Sequence, residues 1–499
     1  MLDLPVQVKN AFRSDSCYKQ MKITVGGGIV FENPTIYEES FELKESLLDG
    51  TNIGFVGCIA SELTVTVRAT SISMRETDYN GRSISVQIRV ELGKNTYSEW
   101  VPLFFGYIDS GELNNDRSAL KLVAYDMFYT LDSINCWNWY RRAFSNGAQT
   151  LEDLIVSLLD FVELQTGYEI ELEPNTPIIL HDVKVKKRLK NKKMTALDFI
   201  KSYCQLSGAC GVISRTGQLK FVYLSGSSTV VAETYPSATT FPGTTTFPGE
   251  SQQAGGYEKL QYYRSASSKD VVVRPFAQGM TIRQNADDNG VTLSQPVPED
   301  VDWSDDSHDT YTSDETDVDI NLGKYIVENN GLVKKLSKKK REAIISRVLS
   351  QTQVNNNQNY TLKSYNVTCN GLPFVELGDS IAIKKPVGST DPQANYMICN
   401  RTLTGIQAMK DNYKFDLPET IENYGVKDTL DDEADSIDED QVSDIATQAA
   451  SDYTYDKATI DAKMADLSGL DILVVVSFSQ DGVLNTTTHT VTTGVNNGV

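Results

Sequence analysis

Alternating hydrophobic and polar residues predict a β-rich section over residues 1–140. The segments Glu62–Arg68 and Ser83–Val90 alternate strictly, which indicates strands with one buried face each. Other short runs are rich in Val, Ile, Thr and aromatic residues and are bounded by Gly, Asn and Asp. The predicted strands are Lys22–Val25, Glu62–Arg68, Ile84–Leu92, Trp100–Ile108 and Ala119–Tyr125. Five or more antiparallel strands at this spacing predict a small barrel or sandwich.

The pattern changes to helical spacing over residues 146–225, which predicts a small α+β unit. Thr150 and Thr195 each begin a capping box, with Asp three residues later, and so predict the starts of two helices. The second helix is predicted to end near Gly208, before a hairpin that turns around Gly217. The apolar faces are Leu151, Leu154, Ile155, Leu158, Leu159 and Val162 on the first helix and Leu197, Ile200 and Cys204 on the second.

A segment rich in Ser, Thr, Gly and Pro follows over residues 226–256. It contains a five-residue repeat, at 239–243 and 245–249. Two copies are too few for a solenoid, so the composition predicts a surface loop or linker.

Residues 257–416 return to strand patterning and are predicted to form a second β domain. The predicted strands are Lys269–Arg274, Tyr360–Cys369, Ser380–Lys384, Met397–Leu403 and Tyr413–Leu417. One amphipathic helix interrupts them, with Ser337 as its cap and an apolar face of Ala343, Ile344, Val348 and Leu349. The stretch 299–319 holds ten acidic residues and no Lys or Arg, which predicts a solvated loop.

The last section, 417–499, is predicted to be an acidic extension. A short helix is predicted around 438–450. Asp471–Phe478 is a hydrophobic strand with no large core of its own to join. We therefore expect this strand to pair, for example with its copies in neighbouring subunits.

The overall composition is that of a soluble globular chain, with 499 residues, 40% hydrophobic and 23% charged. No apolar run approaches ~18 residues, so no transmembrane helix is predicted, and the first residues predict no secretory signal. The seven cysteines are scattered, without a CxxC pair. This usage indicates buried thiols in a reducing compartment rather than a disulfide framework.

The net charge of −21 is concentrated in two places. The stretch 299–319 carries −10, the last 84 residues carry −15, and the rest carries +4. Such acidity argues against a surface that grips nucleic acid, because phosphate binding requires clustered Lys and Arg. It leaves open a surface that DNA passes without binding.

The three histidines do not predict a catalytic or metal site. His181, His308 and His489 lie far apart in different sections, without an HExxH or HxH spacing. We interpret them as surface or structural residues.

The acidic stretch 299–319 does not match a calcium loop. Aligned from Asp300, the EF-hand pattern meets Asp305 where Gly is required and Tyr311 where Glu is required. Gly26–Gly28 is interpreted as a turn or an adaptable N-terminal segment, because no GxxxxGK[ST] and no helix follow it. There is also no GxSxG, and no cysteine has a nearby His. The sequence thus predicts no catalytic residue, no cofactor site and no metal site, and the protein is not expected to be an enzyme.

Two basic segments remain as candidate interaction sites. Lys184–Lys193 holds six Lys and one Arg, and Lys334–Arg341 holds five Lys and one Arg. Either could contact nucleic acid, but neither interleaves aromatic residues for base stacking. Acidic surfaces of the same or a neighbouring protein are the favoured partners.

Three segments resemble a known family. Phe104–Ser110 with Leu120–Leu131 resembles the F-x-G-x-I … A-x-D-x-x-x-x-L stretch that closes the first β domain of phage tail hub proteins. Thr195–Gly208 with Thr216–Phe221 is similar to the short helix and G-x-L hairpin of the same family. Gly371–Ile383 is similar to its G-x-P-x-x-E-x-G-D-x-I-x-I segment. The family comprises baseplate hub and tail-tip proteins of long-tailed bacteriophages and contractile injection particles.

The resemblance implies a mainly β fold with two β-barrel domains separated by an α+β unit, plus the acidic C-terminal extension. It implies a homotrimeric virion protein at the tail tip or baseplate, assembled in the host bacterial cytoplasm. Three subunits with two barrels each would adapt a six-fold tail tube to a three-fold tip. The implied partners are the distal tail or tube protein, the tape-measure protein and a central spike or fibre, with DNA passing through without specific binding.

Two other functions stay open from the sequence. A receptor-binding tail protein would use the C-terminal region, with strand 471–478, as an exposed tip that contacts the host surface. A tail-associated cell-wall hydrolase would cleave peptidoglycan, which the missing catalytic motifs do not favour.

Overall fold

In the computed structural model, most of the first 223 residues are described, together with shorter segments of the second half. The described residues are 2–14, 16–48, 57–144, 147–185, 192–223, 257–260, 263–274, 279–284, 288–293, 310–313, 317–321, 325–328, 330–334, 336–354, 358–359, 362–383, 394–415 and 426–427. The chain divides into two units, Met1–Asp432 and Glu433–Val499. All described residues belong to the first unit. The predicted linker 226–256, helix 438–450 and strand 471–478 lie outside the described residues.

The N-terminal section consists mainly of long antiparallel strands. Its elements are α1 (Val6–Arg13), β1 (Lys19–Val25), β2 (Ile29–Glu32), β3 (Glu42–Ser46), β4 (Glu62–Arg68), α2 (Ile72–Glu76), β5 (Ser83–Gly93), β6 (Thr96–Tyr97), β7 (Val101–Leu113), β8 (Ala119–Tyr125), α3 (Met127–Ser133) and α4 (Trp137–Ala143). All five predicted strands are confirmed. Strands β1 and β4 bury every second residue, as the strict alternation of β4 predicts. Gly26–Gly28 forms the turn between β1 and β2, where Gly27 and Gly28 have φ values of 92° and 85°.

Helices and a small hairpin follow. The elements are β9 (Gln149–Thr150), α5 (Leu151–Thr166), β10 (Lys184–Val185), α6 (Ala196–Ser207), β11 (Ala209–Ile213) and β12 (Leu219–Tyr223). Both predicted helix starts are confirmed, because Thr150 Oγ1 accepts from the Asp153 N–H and Thr195 Oγ1 from the Asp198 N–H, each at 3.1 Å. Helix α6 ends at Gly208, with φ 66°. Both predicted apolar faces are buried.

The second β section contains most of the remaining strands. The elements are β13 (Tyr257–Leu260), β14 (Tyr263–Arg274), β15 (Met280–Arg283), β16 (Val291–Leu293), β17 (Thr310–Ser313), β18 (Asp317–Asn321), β19 (Tyr325–Glu328), α7 (Lys338–Thr352), β20 (Gln353–Val354), β21 (Gln358–Asn359), β22 (Leu362–Asn370), β23 (Ser380–Ile383), β24 (Ala394–Met397), β25 (Asn400–Thr404), β26 (Lys410–Phe415) and β27 (Val426–Lys427). Four of the five strands predicted here are confirmed over their described residues.

The prediction of one strand over Met397–Leu403 is wrong. The segment is divided between β24, which pairs with β23, and β25, which pairs with β26 and β3. Between them, the Ile398 N–H donates to Asp379 O at 2.8 Å and Ile398 O accepts from the Gly378 N–H at 2.9 Å. The chain therefore turns to bind the 378–379 loop and changes sheets at that point.

The prediction of a solvated loop over 299–319 is also wrong in its second half. There, β17 and β18 form an antiparallel hairpin, and β18 pairs in parallel with β14. Val318 and Ile320 alternate with acidic residues, a pattern compatible with a strand. The prediction of a loop was based on the number of acidic residues and did not use this alternation. Residues 299–309 lie outside the described part.

The predicted amphipathic helix is confirmed as α7, but its apolar face is shifted. Ile344, Ile345, Val348 and Leu349 are buried, whereas Ala343 is exposed. The i, i+1, i+4, i+5 spacing places the four large residues on one side of the helix, and Ala343 lies outside that side.

Strands from both β sections join one fourteen-stranded sheet, whereas β13-β23-β24, β16-β15-β19-β27 and β20-β21 form separate small sheets. Its order is β17-β18-β14-β22-β26-β25-β3-β4-β8-β7-β5-β1-β2, with β6 on β5, and only the β14–β18 pair is parallel. The fold class, mainly β with a small α+β insert, is confirmed. Within the described residues the strand order is open at β17 and β2, so closure into two barrels stays a prediction, as do the predicted domain boundaries. None of the described helices is long and apolar enough to cross a membrane.

Candidate functional site

The central feature of the described structure is the junction at which the two β sections meet. Strand β3 of the first section pairs antiparallel with β25 of the second, from Glu42 opposite Thr404 to Ser46 opposite Asn400. Leu43 and Leu403 face each other across this pair, and both are fully buried. The two sections are therefore joined by backbone hydrogen bonds as well as by side-chain packing.

A buried ion pair lies at the junction. Arg401 on β25 donates from Nε to Asp411 Oδ1 at 2.7 Å and from Nη2 to Asp411 Oδ2 at 3.1 Å, and neither side chain is exposed. Arg401 Nη1 also reaches Glu45 Oε2 on β3 at 3.1 Å, which extends the pair across the junction. Burial lowers the pKa of Arg401, but the charges of Asp411 and Glu45 outweigh it and raise the pKa above its usual range. The guanidinium is thus a fixed charge.

Two arginines hold the loop that follows β22. Arg401 donates to Leu372 O at 3.0 Å and to Val375 O at 2.8 Å, while Asp411 Oδ2 accepts from the Leu372 N–H at 2.7 Å. Arg215, at the turn of the β11–β12 hairpin, donates to Pro373 O and Val375 O. Backbone carbonyls of a buried loop need such donors. This loop is the start of the segment Gly371–Ile383 that resembles the tail hub family.

Two glycines in this loop have a steric reason. A Cβ on Gly371 would lie 2.1 Å from Met409 Cγ. Gly378 has φ 83°, and a Cβ there would lie 2.5 Å from Val222 Cγ1 on β12. Asp379 Oδ2 closes the turn by accepting from the Glu376 N–H at 2.7 Å. The loop therefore packs directly against the α+β insert.

The first family-like segment is built around a close crossing of β7 and β8. A Cβ on Gly106 would lie 2.2 Å from Tyr125 O, so only glycine fits at this position. Asp126 then caps α3 by accepting from the Phe128 N–H at 2.9 Å, and its other oxygen accepts from the Ser61 N–H at 2.8 Å. Burial raises the pKa of Asp126 to about 7, although these hydrogen bonds oppose the shift.

The second family-like segment contacts both β sections. Gly217, with φ 91°, lets the hairpin turn approach Phe105 of β7, since a Cβ would lie 2.5 Å from its Cδ1. On the other side of the insert, the Tyr325 hydroxyl donates to Gln205 O of α6 at 3.0 Å. Asn330 Nδ2 donates to Ser202 O of α6 at 2.8 Å. The insert thus ties the two sections to each other.

The N-terminal helix also bridges the sections. The ring of Phe12 lies 6.5 Å from that of Phe374, and Asn370 Nδ2 donates to Arg13 O at 3.4 Å. Further along, the Lys19 N–H donates to Gln407 Oε1 at 3.0 Å. Helix α1 and the start of β1 therefore extend the contact between the sections beyond the β3–β25 pair.

The residues considered for chemistry do not come together in the described structure. His181 is exposed, and its Nδ1 lies 3.2 Å from Ile178 O. His308 and His489 lie outside the described residues. No group of His, Cys, Asp and Glu among the described positions could hold a metal ion.

Helix α7 contains the end of the second basic segment and forms an ion pair with Asp182, close in sequence to the first. Lys338–Lys340 are exposed at its start, whereas Arg341 is buried and donates to Asp288 Oδ2 at 2.6 Å. Arg347, further along α7, forms a bidentate ion pair with Asp182. Asp182 lies two residues before the first basic segment, of which 186–191 lie outside the described residues. An acidic partner for these segments stays a prediction.

Sequence reasoning missed the junction residues Arg215, Arg401 and Asp411. One signal was present: Arg401 is two residues before Leu403, and Asp411 is two residues before Tyr413, so each charge occupies the buried phase of its strand. A charge in that phase indicates a buried partner. Arg215, in a turn, carried no such signal.

Comparison with known proteins gives likenesses at the level of solved structures. No protein-family model and no curated protein sequence matches the chain. A 43 kDa tail protein of prophage MuSo2 from Shewanella oneidensis is similar at a TM-score of 0.40 and 11% identity, over 80% of this chain and 98% of that one. Prophage tail protein gp18 from Listeria monocytogenes is similar at a TM-score of 0.41 and 11% identity, over 80% of this chain and 94% of that one. A chain of the Francisella PdpA-VgrG complex is similar at a TM-score of 0.38 and 10% identity, over 82% of this chain and 55% of that one. The first two of these neighbours are prophage tail proteins, and the third is a chain of a PdpA-VgrG complex.

Proposed function

We propose that this chain is a structural component of a phage tail, a trimeric baseplate hub or tail-tip protein that joins a six-fold tail tube to a three-fold central tip. The observation that carries the proposal is the antiparallel pairing of β3 with β25. An antiparallel pair relates its two strands by a local two-fold axis. We infer that the β sections on the two sides of this pair are the two comparable units that one hub subunit would contribute.

The strand order supports two comparable sections. Outward from the junction, β3-β4-β8-β7 on one side and β25-β26-β22-β14 on the other are each linked by three antiparallel pairings. Beyond them the sides differ, because β7 pairs antiparallel with β5 while β14 pairs in parallel with β18. Three copies would present six sections, which is the number that a six-fold tube requires.

A hub has to transmit force between tube and tip, so its two β sections need a fixed position relative to each other. Arg401 with Glu45, Arg215 with the 373–375 backbone, and α6 with Tyr325 supply buried contacts of this kind. Buried polar groups that bond between the sections favour one arrangement, because another arrangement would leave buried charges without partners. These contacts support a structural role.

Charge supports passage of DNA through the trimer. Three copies, each at −21, would repel phosphate wherever acidic groups face a central channel. We place the tube or distal tail protein on one side, and the tape-measure protein and a spike or fibre on the axis. An image of the trimer with 299–319 and the C-terminal extension on the outer rim would contradict the channel part of the proposal.

The first test is the mass of the purified chain by light scattering behind a sizing column. The hub proposal predicts three times 55.3 kDa, followed by three-fold symmetry in averaged electron micrographs. A monomer that also fails to form trimers with the tube protein would contradict it. Adsorption to host cells by the isolated chain would instead favour the receptor-binding function.

A further inference from the structure

Four buried thiols lie near the meeting point of the three parts of the chain. Cys58 precedes β4, Cys204 is on α6, Cys210 is on β11 and Cys399 precedes β25. The sulfur atoms of Cys58 and Cys204 are 3.9 Å apart, although the two residues are separated by 146 positions. They are the two thiols that contact each other directly in the described structure.

The backbone holds Cys58 in this place. Its N–H donates to Gly211 O at 2.9 Å, and Gly57 forms a parallel bridge with Gly211. Cys58 itself has φ 57°, a left-handed conformation that few non-glycine residues adopt. The backbone is therefore strained at the residue that carries the thiol.

Gly211 leaves the space that the two sulfur atoms occupy. A Cβ at position 211 would lie 2.5 Å from Cys58 Sγ and 3.5 Å from Cys204 Sγ. Any side chain there would displace the Cys58 thiol. The pair therefore depends on a glycine of the insert as well as on the two cysteines.

We propose that Cys58 and Cys204 are a redox modification site that closes to a disulfide between the first β section and α6. The oxidant class is a small disulfide such as oxidised glutathione. One thiolate attacks the small disulfide, which releases one small thiol and forms a mixed disulfide. The second thiolate then displaces the other small thiol, so the two cysteines lose two electrons and two protons and the oxidant is reduced to two thiols.

Burial sets the order of these steps. Cys58 is 4% exposed and Cys204 is fully buried, so Cys58 reacts with the oxidant first. Burial and the hydrogen bond with Cys58 raise the pKa of the Cys204 thiol. The second step is therefore slow and speeds up as the pH rises, because the thiolate is the reactive form. The closed link would span a long loop and so restrict the unfolded chain.

The test treats the reduced full-length chain with excess oxidised glutathione at mildly alkaline pH, then quenches with acid and maps the peptides by mass spectrometry. We expect a peptide that links 58 to 204 and a midpoint of thermal unfolding raised by about 5 °C. The half-buried Cys17 reports on the oxidant in the same sample, because it forms a mixed disulfide on its own.

Variants separate this pair from its neighbours. Cys58→Ser and Cys204→Ser should each abolish the link and the rise in midpoint, whereas Cys210→Ser, a buried neighbour, should keep both. If Cys17 is fully modified while wild-type 58 and 204 stay unlinked, even in urea just below the unfolding transition, the proposal is wrong. A Cys204–Cys210 link in place of the predicted one would overturn it as well.

Discussion

At the scale of single residues, Arg401 is the charge on which the junction depends. It is fully buried, pairs with Asp411 and Glu45, and donates to two loop carbonyls. Buried ion pairs contribute little net stability compared with an apolar replacement of both partners. Removing one partner alone is different, because the other charge stays buried and unpaired.

Arg401→Met should therefore lower the free energy of unfolding by about 3–5 kcal/mol. Chemical denaturation followed by far-ultraviolet circular dichroism measures it. The matched control is Lys44→Met on the same sheet, since Lys44 pairs with Glu42 and Glu62 but its side chain is 51% exposed. That control should stay within about 1 kcal/mol of wild type. Equal losses for both variants would show that burial of the Arg401 pair has no special effect.

Gly106 is a second position at which a single added atom, a Cβ, should destabilise the fold. Gly106→Ala would place a Cβ 2.2 Å from Tyr125 O, so β7 and β8 would have to separate locally. We expect a loss of about 2–3 kcal/mol in the free energy of unfolding, from the same denaturation experiment. Gly93→Ala is the control, because a Cβ there meets nothing within 4 Å. A neutral Gly106→Ala would contradict the close crossing of the two strands.

Asp126 gives a prediction on pH. Burial raises its pKa from 3.8 to about 7 in the folded chain, so the folded state binds the proton more tightly than the unfolded state. The associated stability is complete below pH 3.8 and is lost as the pH rises toward 7. Between pH 4 and 8, the free energy of unfolding of wild type should fall by about 2–4 kcal/mol relative to that of Asp126→Asn, because the asparagine does not titrate.

Parallel denaturation curves of the two proteins across this pH range measure the effect. The difference between them cancels the many other carboxylates that titrate in both. A constant difference at every pH would mean that Asp126 is ionised throughout.

At the scale of elements, the three family-like segments contact one another. The β7–β8 crossing contacts the hairpin through Phe105 and Gly217, and the hairpin holds the 371–379 loop through Arg215 and Val222. Each segment alone is a common strand-and-turn pattern. Their contacts with one another explain why glycines and buried charges occur at these particular points.

Hydrogen exchange tests the continuity of the sheet. Amides of β3 and β25 have strands on both sides and should exchange only with global unfolding, whereas β2 has one partner strand in the described structure and should exchange faster. Mass spectrometry of peptides that cover 42–46, 400–404 and 29–32 measures these rates. Fast exchange at 42–46 and 400–404 would show that the two β sections open independently.

At the scale of the whole molecule, assembly is the function to be tested. Deleting residues 430–499 separates the hub from the receptor-binding alternative. The hub proposal predicts that tail assembly fails with the shortened chain, because strand 471–478 is expected to pair with its copies in neighbouring subunits. Particles that form normally but no longer adsorb to cells would place attachment in the deleted region. Clearing of peptidoglycan in a zymogram by the full chain would support the hydrolase alternative, and we expect none.

Much of the local structure was predictable from residues. The capping boxes at Thr150 and Thr195, the stop at Gly208 and the alternation over Glu62–Arg68 all correspond to observed elements. Errors arose where tertiary contacts outweighed the local pattern. Ile398 binds the 378–379 backbone and divides a predicted strand, and β18 pairs with β14 despite its acidic residues.

The sequence by itself determined the fold class, the positions of most strands and helices, the burial of most of the cysteines and the resemblance to tail hub proteins. It could do so because these properties depend on neighbours along the chain, through periodicity, caps and turns. Only the tertiary structure decided the β3–β25 junction, the bonding of Arg215 and Arg401 to one loop, and the contact between the Cys58 and Cys204 thiols. Those partners are separated by many residues, and their pairing depends on how whole sections pack, which local pattern does not encode.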